Sequence, residues 1–231
     1  MFHWTRQQRV TETAKDVGVT PKIAIDWYNF CRDICEEHFL SNPITIGGPG
    51  KTVEIDESKF GKYTYIFMTD LYTVLFSCAG KRKYNRGRQV DGHWVFGGIE
   101  RGSSKAFMLV VPDRTKITLL PIIQQYIRPG TTIISDEWKA YHDIGTIPGG
   151  YTHKTVNHSQ NFVDPVTGAH TQSIEGHWSC TKRMMRKQGV MNTSSDLFPS
   201  YMVECLWRRR YGDSDLFEKL MEHIKDKYPL L

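Results

Sequence analysis

Apolar residues at positions 23, 27, 30, 34 and 39 recur at close to helical spacing, and Thr20-Pro21 supplies an N-cap and a proline at the first helical position. The pattern predicts a long amphipathic helix over about residues 21–40. Residues 10–17 are helix formers that stop at Gly18-Val19, so two helices joined by a short turn make either a helix-turn-helix or a plain helical hairpin. Ser41-Asn42-Pro43 and Ile46-Gly47-Gly48-Pro49-Gly50 then break every periodicity and mark a boundary. Beyond it, residues 52–55, 93–100 and 106–111 read as strands, 115–127 as a helix, 131–135 as a strand after the turn at Pro129-Gly130, and 173–187, 196–210 and 215–227 as helices. Three strands, a helix, a strand and then helices predict an α/β layer with helices covering a mixed sheet. Residues 63–80 stand apart, with a single charge at Asp70 inside a basic stretch. Their length approaches a membrane span, but three threonines, three tyrosines and the aspartate favour a β-hairpin or an insertion, so no membrane partner is expected.

Composition narrows the classes. With 231 residues, 39% hydrophobic and 12% aromatic, the chain can bury a core in one or two domains and is not disordered. Its five cysteines include no CxxC pair, which argues against a disulfide framework and a structural zinc, and Cys31 and Cys35 near His38 read as ordinary packing. The opening MFHWTRQQR lacks a signal peptide's apolar run, so the expected compartment is the nucleus in a eukaryote and the cytoplasm otherwise. A formal charge of +5 is modest, but Lys and Arg cluster, which makes nucleic acid the first partner to consider.

Asp56 and Asp136 each follow a β-prone run, VEI and IIS. Carboxylates at adjacent strand ends reach metal-bridging distance, and a third acid then comes from a helix. Glu175, at the start of the 173–187 helix, fits that place, with Lys182 two turns later on the same face and able to meet a phosphate. Hard oxygen ligands of this kind suit Mg²⁺ or Mn²⁺.

These residues lie within longer strings: Ile55-Asp56-Glu57-Ser58-Lys59-Phe60-Gly61-Lys62, Lys83-Tyr84-Asn85-Arg86-Gly87-Arg88, Trp94-Val95-Phe96-Gly97-Gly98-Ile99-Glu100, Ser135-Asp136 with Trp138 and Tyr141, Val156-Asn157-His158-Ser159, and His170-Thr171 before Ile174-Glu175 with Trp178 and Lys182. In this order they resemble the DDE transposases of Merlin-type DNA transposons and their bacterial ISXO-like insertion-sequence relatives, over about residues 51–211. The resemblance implies a ribonuclease-H-like fold with a mixed five-stranded sheet, the first acid on the first strand, the second after the fourth and the third on a following helix. It implies that Asp56, Asp136 and Glu175 are the catalytic triad and hold two Mg²⁺ or Mn²⁺ ions, with Lys182 the basic residue seven after the third acid. It further implies transposon-end and target DNA as partners and a homo-oligomer when active. Residues 63–80 look inserted between the family's first motif and its basic continuation, residues 1–45 form a helical segment short for a full end-binding domain, and 212–231 add a C-terminal helix.

Lys83, Arg86 and Arg88, and Lys182, Arg183 and Arg186, lie beside the acid-bearing motifs and are the expected DNA contacts. Residues 208–210 form a third cluster that could equally end a helix. Trp94, Trp138 and Trp178 fit core packing better than base stacking, and among the histidines near the third acid His170 is the candidate auxiliary group. The leading reading is metal-dependent DNA cleavage and strand transfer. The alternative is a transposase-derived DNA-binding protein whose interrupted first motif leaves the acids idle.

Overall fold

The computed structural model describes residues 1–61, 92–157, 169–190 and 197–229. The 63–80 stretch and the expected DNA contacts Lys83, Arg86 and Arg88 lie outside those residues.

In chain order the elements are α1 (Phe2–Thr5), α2 (Val10–Val17), α3 (Pro21–Ser41), β1 (Ile46–Gly47), β2 (Thr52–Phe60), β3 (His93–Glu100), β4 (Ala106–Val111), α4 (Lys116–Tyr126), β5 (Ile127–Arg128), β6 (Thr132–Asp136), β7 (Thr152–Val156), α5 (Gln172–Gln188), α6 (Phe198–Tyr211) and α7 (Leu216–Lys227). Five strands form one sheet in the order β4-β3-β2-β6-β7. The first three are antiparallel neighbours, whereas β6 and β7 run parallel to β2. This is the mixed five-stranded sheet flanked by helices of a ribonuclease-H-like fold.

Side chains alternate across a strand, so β2 sends its odd and even positions to opposite layers. Val53 and Ile55 join Phe96, Leu119, Ile123, Ile133 and Tyr141 in the core beneath α4. The other face of the sheet packs Phe60, Val95 and Met108 against Ile174, Trp178 and Met185 of α5 and Phe198, Met202 and Cys205 of α6.

The helices at the two ends of the described chain share a third core, in which Trp4, Tyr28, Cys31, Ile34 and Cys35 meet Trp207 and Leu220. The buried stripe of α3 is Ala24, Tyr28, Cys31, Ile34 and Cys35, while Ile23 and Trp27 are exposed. The apolar face is therefore rotated from the expected one, because small residues let α3 lie close to α6. Cys31 and Cys35 are packing residues, and burial pushes the Cys31 thiol up to about 12.

Two expectations on strand geometry need correction. The strand expected to end before Asp56 continues to Phe60, since β3 pairs with it over its whole length from Val53↔Glu100 to Phe60↔His93. Residues 152–156 form a fifth strand that their polar sequence did not suggest. Paired on one side only, β7 satisfies its backbone on β6 and leaves most of its side chains partly in water.

Candidate active site

Asp56 lies in the middle of β2, where three features of the sequence converge. In the ladder to β6, Val53 pairs with Ile133 and Glu54 with Ile134. Continuing that parallel register two residues brings Asp56 beside Asp136, the last residue of β6. Both share the face of Glu54 and Ile134, so their carboxylates leave the sheet on the same side. On the antiparallel side Asp56 pairs with Gly97. A Cβ at Gly97 would stand 2.6 Å from the Trp178 ring, so the missing side chain is what lets the indole lie across β3. From there Trp178 Nε1 donates to Asp56 Oδ2 at 3.0 Å.

Asp136 is held from its other side, where the backbone N–H of Trp138 donates to Oδ1 at 3.0 Å. The acids crowd one another. Burial first, then the charges of Glu57 and Asp136, push the Asp56 carboxyl up to about 7. Glu57, on the opposite face of β2, is also raised to about 7, chiefly by burial and further by Asp136, against the lowering influence of the Tyr141 hydroxyl and Arg114.

Helix α5 runs alongside β2 and is fastened to it at three levels. Glu54, fully buried, accepts from the Ser173 N–H at 2.9 Å, the Ser173 hydroxyl at 2.9 Å and the Ile174 N–H at 3.1 Å. It thereby serves the free amides of the first helical turn with a charge of favourable sign. Trp178 meets Asp56 one turn on. Lys182 follows, donating to Ser58 Oγ at 2.7 Å with its Nζ 4.9 Å from the centre of the Phe60 ring. Burial lowers the Lys182 pKa, with Asp56 opposing the shift.

Glu175 occupies the first turn of α5, is exposed, and accepts from Thr171 Oγ1 at 3.0 Å. It precedes Trp178 by three residues and Lys182 by seven, which puts all three on the helical face that meets β2. Among the described residues no three acidic, histidine or cysteine side chains stand close enough to hold one ion as placed. The structure thus brings Asp56 and Asp136 together and sets Glu175 on the adjoining helix turn, turned toward Thr171.

His170 sits at Glu54 instead of at the aspartates: its Nδ1 is 3.6 Å from Glu54 Oε1 and its carbonyl accepts from Arg101 at 2.6 Å. Arg183 and Arg186 are exposed on α5. Arg208 is no surface contact. It is buried, donates to Glu204 at 2.8 Å and to the carbonyls of Thr5 and Trp4, and so ties α6 to the start of the chain. Trp178 is buried, and the faces of Trp94 and Trp138 are taken by the Arg114 guanidinium, 4.0 and 4.6 Å from the two ring centres.

Sequence reasoning passes over Glu54, Glu57 and Arg101. The first is within its reach, since the two-residue period of a strand puts Glu54 on the face of Asp56. Arg101, which donates to Glu54 Oε1 at 2.5 Å, comes from the turn after β3 and carries no sequence signal of that role.

Known proteins supply the family. The ISXO2-like transposase domain matches residues 49–210, from just before β2 almost to the end of α6. A protein of Haemophilus influenzae described as an uncharacterized transposase-like protein is 29% identical over 105 residues, covering 45% of this chain and 80% of its own length. Similar solved structures include a simian T-cell lymphotropic virus intasome in complex with PP2A regulatory subunit B56 gamma, at 14% identity and a TM-score of 0.39, covering 89% of this chain and 66% of that one. A pre-cleavage Mos1 transpososome aligns at 8% identity and a TM-score of 0.31, over 97% of this chain and 75% of that one. The match over residues 49–210 spans most of the chain, which therefore belongs to the ISXO2-like transposase family.

Proposed function

We propose that the protein is the catalytic part of a DNA transposase, which cleaves a phosphodiester with water and joins the freed 3′-hydroxyl to target DNA. The observation that carries this reading is the Asp56–Asp136 pair, aligned on adjacent strands with no Lys or Arg within ion-pair distance of either among the described residues.

The donor set fits a divalent cation. Burial and the neighbouring charges of Glu57 and Asp136 raise the proton affinity of Asp56, which marks a locus of uncompensated negative charge, and oxygen ligands match Mg²⁺ and Mn²⁺. Asp56 and Asp136 would hold the ions, with Glu175 swinging from Thr171 to complete the set. Two such ions, when bound, activate the attacking oxygen and stabilise the leaving one. The protein's own share is placement. The Trp178 N–H fixes Asp56 Oδ2 and the Trp138 N–H fixes Asp136 Oδ1, which orients the two carboxylates for the ion. Lys182, steadied by Ser58, offers a cation to the scissile phosphate on the same side of the sheet. Arg183 and Arg186 extend that positive face along α5, and a DNA strand laid there meets the acids.

The test is strand cleavage of a duplex bearing the element's own ends. Asp136→Ala should lower Mg²⁺-dependent cleavage at least ~1,000-fold, which is ~4 kcal/mol of barrier. DNA affinity at fixed salt should stay within about threefold, because one of many charges is removed. An unmodified protein that binds these ends but cleaves nothing with Mg²⁺ or Mn²⁺ would instead establish the non-catalytic DNA-binding reading.

A further inference from the structure

A second cleft lies at the end of the sheet where β4 and β6 begin, whereas Asp136 lies where β6 ends. Its volume is about 240 Å³, and it is enclosed by the end of α3, the turn before β4, β5 and the end of α6. Three full cations line it, Lys105, Arg128 and Arg210, and no carboxylate does. Among the described residues none of the three has an acidic side chain within ion-pair distance. Arg128 is steadied by a hydrogen bond from its Nε to Thr45 Oγ1 at 3.2 Å, and Asn42 and Tyr211 add polar groups to the wall.

Three like charges round one cavity repel each other, and among the described residues no carboxylate lines the cavity to pair with them. The carboxyl end of α6 accounts for Arg210, since cations favour the negative end of a helix, but not for Lys105 or Arg128, which come from elsewhere. The cavity is smaller than the ~300–1,000 Å³ typical of sites for drug-sized ligands, so its occupant is compact. We propose that this cleft binds a phosphate group, and that the phosphate is carried by a DNA backbone crossing the end of the sheet opposite the acids. Only the source of the phosphate rests on the transposase reading; the anion chemistry does not. The two rim arginines are exposed, which suits a strand passing through better than a closed small-molecule site.

The experiment compares the full chain with the triple variant Lys105→Gln, Arg128→Gln, Arg210→Gln. Affinity for a short DNA duplex is measured across a salt series, and melting temperature with and without inorganic phosphate. The variant's DNA affinity should fall roughly tenfold at 0.1 M salt for each backbone phosphate it no longer neutralises, with the slope of log affinity against log salt shallower by about 0.9 per phosphate. An unchanged salt slope, together with a phosphate-induced rise in melting temperature that only the unmodified chain shows, would keep the phosphate site and assign it to free phosphate compounds. No change in either readout overturns the site, and if the unmodified chain still binds and cleaves DNA the transposase reading survives that failure. Should the triple variant not fold, Lys105→Gln and Arg210→Gln are tested singly by the same two readouts.

Discussion

Glu204 is a fully buried acid and Asp56 a half-buried one, and their surroundings differ in kind. Glu204 accepts from Arg208 at 2.8 Å and from Gln188 at 3.0 Å and lies 3.5 Å from Arg32, so its charge is balanced by the bundle of α3 and α6. Glu54 is balanced in the same way by Arg101 and the first amides of α5. Asp56 has an indole N–H, a neighbouring acid on each side of its environment, and the partly buried Lys182 donating to Ser58 instead of to it. Balanced acids hold helices together. An unbalanced pair on two inner, adjacent strands favours positive charge, and that separates the two structural glutamates from the proposed site.

The contrast breaks most sharply at Glu204. Glu204→Ala leaves Arg32 and Arg208 buried without a counter-charge, and should destabilise the fold by about 3–5 kcal/mol in denaturant unfolding. A loss under ~1 kcal/mol would mean that the network is not the clamp it resembles.

Asp56→Asn should act in the opposite direction. Folding raises the Asp56 carboxyl from its ordinary value to about 7, so the folded state holds this proton more tightly than the unfolded chain. Stability from this group is therefore full in acid and declines as pH climbs from about 4 through about 7. In metal-free buffer at pH 8 the asparagine variant should be the more stable protein, by roughly 1–3 kcal/mol, and the gain should vanish near pH 4. A variant less stable than the parent at pH 8 would show that Asp56 is balanced after all.

Gly97→Ala sharpens the geometry. Its new Cβ meets the Trp178 ring at 2.6 Å and the Phe107 carbonyl at 2.9 Å, so a destabilisation of about 1–3 kcal/mol and a changed Trp178 fluorescence are expected. An unchanged emission spectrum would show that the indole does not depend on this glycine. The smallest effect belongs to the exposed pair Lys116–Asp143, at 3.1 Å, where Lys116→Ala should change stability by less than ~1 kcal/mol.

Much of this is legible in the chain. Phe107-Met108 in β4 and Ile133-Ile134 in β6 bury consecutive side chains on both faces of the sheet, and strands of that kind announce themselves by hydrophobicity alone. Strand β7 is not legible, because Thr152, His153, Lys154 and Thr155 belong to an edge whose side chains remain largely in water. The extension of β2 past Asp56 escapes notice for a related reason. Glu57, Ser58 and Lys59 are poor strand residues by composition, and they are held extended by pairing with Phe96, Val95 and Trp94. The two aspartates and Glu175 can be named from their motifs. What motifs cannot give is electrostatic context: that Glu54 is neutralised by an arginine beyond β3 while Asp56 is not is a fact of folding, decided by residues distant in sequence.

The central claim is that the Asp56–Asp136 pair is a divalent-cation site, and Mn²⁺ binding tests it most directly. Titration of the full chain at pH 8 should show saturable Mn²⁺ binding that is weakened at least ~100-fold in both Asp56→Asn and Asp136→Asn and retained in Glu36→Gln, an exposed acid on α3. Equal Mn²⁺ affinity in all four proteins would contradict the account.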